Sequence, residues 1–171
     1  MREHDDGLRK LHKLIHDIRM AMLTTVDETG RLHSRPMATI EFEGFNGELW
    51  FFTQASSPKV DEVDRDQHVN VSYSSPKDQR YVSLSGTAQL VRDLEKIHEL
   101  WNPFYRAWFP EGIEDPELAL LKVTLEHAEY WDAPTSGVVR LVGLAKALAT
   151  GKTYEPGDNR KLTLEPSHGV H

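Results

Sequence analysis

Apolar residues recur along this chain with two spacings, and these spacings predict its helices and strands. Near the start they return at helical intervals, which predicts an amphipathic first helix up to about Ile18. Most of the later apolar residues alternate or form short runs between turns rich in Gly, Pro and Asp, which is typical of strands. Six strands are predicted, at residues 20–26, 32–43, 48–53, 69–74, 81–91 and 121–131.

The connections predict how these strands are arranged. The turn Gly44–Gly47 joins the second and third strands as a hairpin, and Gly86 marks a bulge or bend in the fifth. Helices are predicted after Ser57, after Asp93 and from Ser136 to Thr150. Short turns and few helices indicate a mainly β (α+β) fold, a six-stranded antiparallel barrel with flanking helices. We expect residues 1–152 to form one domain and residues 153–171 to form a polar, mobile tail.

Composition excludes several classes of function. The 171 residues suit a single domain, and the absence of cysteine removes thiol catalysis, thiolate metal sites and disulfides. A net charge of −7 argues against general nucleic-acid binding, which depends on neutralising phosphates. The polar N-terminus is unlike a signal peptide, and no apolar run approaches the ~20 residues of a membrane span. We therefore expect a cytoplasmic protein that binds neither nucleic acid nor membrane, and we predict no metal site.

Candidate chemistry lies where the second and third strands end. Arg35 stands among uncharged neighbours, and Pro36 predicts a sheet edge or a bulge because proline cannot donate a ladder hydrogen bond. Thr53, Ser57 and Lys59 lie where a strand becomes a helix, and free N–H groups, hydroxyls and a lysine suit a monophosphate. The alternative is a surface arginine paired with a carboxylate, a plain serine cap and a solvated lysine.

The third strand carries an unusual apolar pattern. Leu49, Trp50, Phe51 and Phe52 are apolar on both faces, whereas a half-exposed hairpin strand should alternate. One face can pack on the barrel core. The other needs a second cover, which a partner subunit, a flat ligand or a helix could supply.

Five short segments, in this order, resemble one known family. They are Ser-Arg-Pro-Met from Ser34, Trp-Phe-Phe-Thr from Trp50, Ser-Pro-Lys from Ser57, residues 81–88, and Glu-Tyr-Trp ending at Trp131. Their order and spacing resemble the pyridoxamine 5'-phosphate oxidase-like flavoproteins, and most of all their general-stress-protein branch. The resemblance spans roughly residues 18–152, which is nearly the whole predicted domain.

The resemblance implies a split β-barrel homodimer with FMN at the subunit interface. It also implies which side chains contact FMN. These are two basic and two hydroxyl residues at its phosphate (Arg35, Lys59, Thr53 and Ser57), a strand beside its ring (Ser34, Pro36 and Met37), an aromatic residue of the same site (Phe52), and a tryptophan reaching the flavin from the partner (Trp131). Strand parity places Trp131 on the face of Leu121, Val123 and Leu125, where an ordinary core tryptophan is the alternative.

The chain departs from true pyridoxamine phosphate oxidases at three places. Pro58 replaces a second basic residue, Ile40 replaces a lysine, and Arg140-Leu141-Val142-Gly143 lacks the His-Asp-Arg that grips the substrate phosphate. We therefore expect a stress-related FMN protein, as an oxidoreductase acting on a small-molecule substrate or reductant still to be identified, and not a vitamin B6 oxidase. The alternatives are a non-enzymatic flavin sensor or store, or a related barrel that uses deazaflavin or haem. No residue is assigned a catalytic role.

Overall fold

The computed structural model describes residues 2–41, 44–133, 137–154 and 157–164. Four α-helices, two short 3-10 helices (Pro103–Ala107 and Gly112–Glu114) and seven strands make up the described fold. The helices are α1 (Arg2–Ile15), α2 (Pro58–Arg65), α3 (Leu94–Leu100) and α4 (Gly137–Thr150). The strands are β1 (Met20–Val26), β2 (Leu32–Ala38), β3 (Glu48–Gln54), β4 (His68–Ser75), β5 (Arg80–Val91), β6 (Leu118–Asp132) and β7 (Asp158–Thr163).

All seven strands belong to one antiparallel sheet that curls into a half-barrel. The order is β2-β1-β4-β5-β6-β3, and β7 pairs with β6 beyond that path. A single bridge between Thr39 and Phe51 brings the two ends of the sheet together. The predicted class, a mainly β split barrel with flanking helices, is confirmed.

The main core lies inside the curl of the sheet and beneath α1. Inward-facing side chains fill this core, because every second side chain of a strand points to the same face of the sheet. On β1, for example, Leu23 is fully buried, whereas its neighbour Met22 is 42% exposed on the opposite face. Leu11, Leu14 and Ile15 of α1 complete this cluster, so the amphipathic helix buries its apolar stripe on the barrel.

A second cluster covers the other face of β3. Trp50 and Phe52 pack against Ile97 and Leu100 of α3 and against Phe109. Asp93 accepts hydrogen bonds from the first backbone N–H groups of α3, as the sequence predicts. Of the three covers considered for β3, the helix is therefore the one found for this part of the strand.

The predicted hairpin between the second and third strands is wrong for β2 itself and, in the part of the chain that the structure describes, is found only near its turn, at Thr39 and Ile40. β2 pairs along its length with β1, and β3 pairs with β6 from Glu48↔Thr124 to Gln54↔Leu118. Among the described residues, backbone pairing with β3 is limited to the segment just after β2, where Thr39 bridges Phe51 and Ile40 N donates to Trp50 O at 2.9 Å. β2 is consequently an edge strand, which is where Pro36 is tolerated.

The predicted tail also needs correction, and so does the strand count. β7 lies within residues 153–171 and pairs with β6 from His127↔Thr163 to Asp132↔Asp158. Leu164, which follows it, is buried in the main core. The sheet therefore has seven described strands where the sequence predicts six, and part of the predicted tail is ordered structure.

A β-bulge in β6 changes the face on which Trp131 lies. Gly86 pairs with Leu125 but Ser85 pairs with His127, so β6 carries one extra residue there. A Cβ on Gly86 would lie 1.9 Å from the Thr124 carbonyl oxygen, so only glycine fits at this crossing. The irregularity predicted at Gly86 is confirmed, although the extra residue lies in β6 and not in the fifth strand. Beyond the bulge, the alternation of side chains between the two faces is shifted by one residue. The prediction that Trp131 shares the face of the inward residues of β6 is therefore wrong.

Some predictions fall outside the described residues. These are the end of the second strand at residues 42–43, the helix start at Ser136, and the tail positions 155–156 and 165–171. Within the part of the chain that the structure describes, no helix combines the length and apolar character needed to cross a membrane.

Candidate functional site

Six of the nine predicted site residues line one cavity of about 300 Å³. It opens between the edge strand β2, the end of β3, the start of α2 and the aromatic turn that follows α3. The six residues are Arg35, Pro36, Met37, Phe52, Thr53 and Lys59. The fold thus brings together side chains that lie far apart on β2 and α2.

Ser57, the seventh, adjoins the cavity through hydrogen bonds. Lys59 Nζ donates to Ser57 Oγ at 3.0 Å, and Ser57 Oγ lies 3.3 Å from Thr53 Oγ1. Ser57 occupies the N-cap position of α2, but its side chain makes no capping bond to that helix. Its hydroxyl therefore belongs to the polar row with Thr53 and Lys59, and the plain-cap alternative fails.

Lys59 is half-buried beside a second cation. Burial lowers the pKa of its ammonium group, the nearby charge of Arg35 lowers it further, and Glu62 acts in the opposite direction. The solvated-lysine alternative is therefore also wrong. Two cations close together form a site that attracts a ligand with more than one negative charge.

Arg35 is paired with a carboxylate that the sequence reasoning missed. Its Nη2 donates to Glu62 Oε2 at 2.6 Å, and its Nη1 donates to Thr25 Oγ1 at 2.6 Å. Thr25 in turn donates to Glu62 Oε2 at 2.5 Å. The carboxylate-paired alternative is therefore correct as a contact, although the same guanidinium also lines the cavity.

Glu62 is ionised in a nearly buried position. Burial alone would raise its pKa, but hydrogen bonds from Thr25, His33 and Arg35 outweigh that effect and lower it. Its position between the core residues Val60 and Val63 of α2 is the sequence signal that could have indicated it, since both valines are buried.

Aromatic side chains form much of the remaining lining of the cavity. Tyr105, Trp108 and Phe109 line the cavity with Phe52, and the rings of Phe52 and Tyr105 lie 4.7 Å apart. Burial raises the pKa of Tyr105, and the positive charge of Arg19 partly offsets this. The cavity thus combines two cations with a largely aromatic lining, whose Phe52 and Tyr105 rings are tilted by 60° to each other.

The remaining two predicted site residues lie on the outer face of the sheet. Ser34 is exposed there and shares a 2.7 Å hydrogen bond with Thr24. Trp131 is 40% exposed and lines a second cavity of about 280 Å³. We call the large exposed side chains of that cavity the outer-face patch, which consists of Met20, Met22, Tyr81 and Trp131. Because Trp131 is exposed, the core-tryptophan alternative is wrong.

The two cavities meet at the edge of the sheet. Met20 and Pro36 line both of them, so a ligand that passes over this edge can contact the cationic end and the outer-face patch together. This geometry suits an elongated ligand with an anionic end and a flat apolar part.

Comparison with known proteins assigns the chain to a family. Residues 6–155 match the family described as pyridoxamine 5'-phosphate oxidase like. The chain belongs to this family. The resemblance inferred from the five sequence segments is therefore confirmed.

One protein relative and two solved structures are similar to most of this chain. Protein bli-3 of Neurospora crassa is 31% identical over 168 residues, which cover 93% of this chain and 80% of that protein. A candidate general stress protein 26 from Jannaschia sp. CCS1 has a TM-score of 0.74 at 28% identity, covering 94% of this chain and 99% of the other. The general stress FMN/FAD binding protein of Xanthomonas citri has a TM-score of 0.64 at 32% identity, covering 75% and 89%.

Proposed function

We propose that this chain binds FMN in the cavity between β2, β3 and α2. The observation that carries this proposal is the convergence of Arg35, Lys59, Thr53 and Ser57 at one end of a cavity with an aromatic wall. Cations and hydroxyls suit a phosphate, and an apolar, aromatic lining suits the rest of a flavin. The general stress FMN/FAD binding protein of Xanthomonas citri supports the same ligand class.

The flavin ring requires more room than the cationic end provides. A continuous path leads from that end past Met20 and Pro36 to the outer-face patch. In this arrangement Arg35 and Lys59 would hold the phosphate, and Pro36 and Met37 of β2 would adjoin the ring.

We further propose that a second copy of this chain covers the outer-face patch. Large apolar side chains on an open sheet face are unusual for a lone domain and mark an interaction surface. The patch adjoins the proposed cofactor cavity through two shared residues, Met20 and Pro36. A homodimer would bury the patch and bring Trp131 of the second copy against the flavin.

As to activity, an FMN-dependent oxidoreductase linked to stress is the function that this site supports best. Bound flavin supplies the redox chemistry, and the protein binds and orients it. Arg35 and Lys59 hold the phosphate, while the aromatic wall keeps water from the inner side of the cavity. The general-stress names of the structural relatives support the link to stress.

A second candidate is a flavin carrier or sensor without turnover. Among the described residues that line the cavity, the titratable side chains are Arg35, Lys59 and Tyr105. A carboxylate or histidine, the usual general acid or base, is absent from that described lining. Steady oxidation of NADH or NADPH by the FMN-loaded protein would support the enzyme, and its absence would support the carrier.

Flavin titration of a double variant tests the proposal directly. We expect Arg35→Ala with Lys59→Ala to weaken FMN binding about 100-fold, because charge-assisted hydrogen bonds to the phosphate are lost. Riboflavin, which lacks the phosphate, should bind both proteins about equally. Flavin fluorescence quenching or calorimetry gives both affinities.

The matched control removes one arginine and one lysine from exposed turns, as Arg31→Ala with Lys77→Ala. This control should bind FMN like the wild type. Unchanged FMN affinity in the site variant would refute the phosphate assignment. A colourless wild-type protein that binds no FMN in titration would refute the flavin proposal as a whole, and a Soret band would indicate haem.

A further inference from the structure

The carboxylate of Glu62 lies directly behind the proposed phosphate site. Glu62 is only 8% exposed and projects from α2 between Val60 and Val63, which anchor that helix in the protein interior. It contacts Arg35 and Thr25, but it is not among the residues lining the cavity. A buried carboxylate needs a reason, because burial of a charge is costly unless it is paired.

Three side chains, Glu62, Thr25 and Arg35, form a closed set of hydrogen bonds. Arg35 donates to both Thr25 and Glu62 at 2.6 Å, and Thr25 donates to the same carboxylate oxygen at 2.5 Å. The other carboxylate oxygen lies 3.2 Å from His33 Nδ1. Each partner constrains the next, so the guanidinium is held in one orientation on the edge strand.

The guanidinium keeps donors for a ligand. It carries five N–H donors, and the two contacts with Thr25 and Glu62 engage one N–H group on each terminal nitrogen. The same side chain also lines the cavity. Glu62 and a bound phosphate would therefore contact different N–H groups of the same arginine.

Glu62 also affects the second cation. Arg35 and Lys59 are close enough for the arginine to lower the pKa of the lysine, and Glu62 counters that effect. Without the carboxylate, the two cations would repel each other with no negative charge between them. Arg35 could then turn toward solvent, because β2 is an edge strand.

We propose that Glu62 is a positioning residue that makes this site selective for phosphorylated flavin, by holding Arg35 toward the cavity and by keeping Arg35 and Lys59 together. This inference rests on the proposed FMN function and adds a residue to it. Thr25 is a second positioning residue, since it contacts both Arg35 and Glu62.

The test compares FMN with riboflavin in a Glu62→Gln variant of the full chain. Glutamine keeps the shape but removes the charge that holds Arg35. We expect FMN binding about tenfold weaker and riboflavin binding within about twofold of the wild type, which is the usual scale for residues that orient a ligand-binding side chain. In an Arg35→Ala background, Glu62→Gln should cause no further loss, because coupled residues are not additive.

A matched control separates orientation from charge. Asp64→Asn removes one negative charge from an exposed position of the same helix and should leave the preference for FMN over riboflavin unchanged. A pure charge effect has the opposite sign to the expected one, since loss of a carboxylate would strengthen the binding of an anion. FMN affinity that is unchanged or higher in Glu62→Gln would therefore overturn the inference.

A second variant keeps the test decisive if Glu62→Gln does not fold. Thr25→Val conserves shape and removes the hydroxyl between Arg35 and Glu62. It should also weaken FMN and spare riboflavin, and equal affinities for FMN in this variant and the wild type would overturn the inference. If the wild-type protein binds FMN no better than riboflavin, the proposed phosphate site itself is refuted. If Glu62→Gln prefers FMN over riboflavin as strongly as the wild type does, only the role of Glu62 is refuted.

Discussion

The charged cluster of Arg35, Glu62 and Thr25 and the outer-face patch differ in how completely their side chains find partners within one chain. In the cluster, Arg35, Glu62 and Thr25 are bonded to one another and nearly buried. In the patch, Met20, Met22, Tyr81 and Trp131 are each at least 40% exposed. The cluster is complete within one chain, whereas the patch is apolar surface still open to water.

The contrast indicates which half of the proposed site each region supplies. A preorganised cluster holds its side chains before the ligand arrives, so it suits the anionic end of a ligand. An open apolar face gains free energy when another surface covers it. We infer that one chain supplies the phosphate half, and that the ring half is completed between two copies.

The largest expected effect is a loss of folding stability at Leu23 of β1, compared with its neighbour Met22, which faces the opposite way. Leu23→Ala should lower the free energy of unfolding by about 2–5 kcal/mol, because Leu23 is fully buried and leaves a cavity. Met22→Ala should lower it by less than about 0.5 kcal/mol in dilute protein, as for an exposed position. Urea unfolding at two protein concentrations measures both.

The same pair tests the second copy. Met22→Ala should raise the dimer dissociation constant about tenfold in sedimentation, as expected for an apolar contact in an interface. If Met22→Ala leaves self-association unchanged, or if the wild type is monomeric at every concentration, the outer-face patch is not an interface between copies.

A smaller effect concerns the stability of the charged cluster at low pH. The pKa of Glu62 in the folded chain lies below its usual value of 4.5. Its stabilisation is therefore present above about pH 4.5 and is lost as the pH falls through the lower, folded-state pKa.

The difference in unfolding free energy between the wild type and Glu62→Gln measures this contribution. Asp17, Asp27, Asp66 and Glu117 also have lowered pKa values, so both proteins lose stability in acid. The difference between the two proteins should be largest near neutral pH and shrink in acid. A difference that stays constant from pH 7 to pH 3 would contradict the ionised, hydrogen-bonded state of Glu62.

Local sequence patterns were sufficient to predict most of the strands and helices of the fold. Alternation and short apolar runs located all six predicted strands, and Asp93 marked the start of α3. β7 was missed because its sequence is polar, with Leu162 as its one apolar side chain, and because pairing with β6 supplies its stability. The partner of β3 was missed because a turn predicts only a neighbour in sequence, whereas β3 pairs with a strand far along the chain.

The candidate site was predicted in part and for identifiable reasons. Arg35 and Lys59 were found because the family resemblance joins segments that local patterns keep apart. Glu62 was missed because a charged residue in a short polar helix is usually solvated, and only the fold brings it to Arg35. The face of Trp131 was mispredicted because one extra residue in a bulge reverses every later side chain.

The most direct test of the central claim is complementation between two defective variants. The double variant Arg35→Ala with Lys59→Ala keeps Trp131, and Trp131→Ala keeps the phosphate half. Each alone should bind FMN at least tenfold more weakly than the wild type, because each lacks one half of both sites. Co-expressed with different tags and isolated as the mixed dimer, they should bind about one FMN per dimer with wild-type affinity, as only a site shared between two copies allows. A mixed dimer that binds FMN no better than its parents would contradict a site completed across two chains.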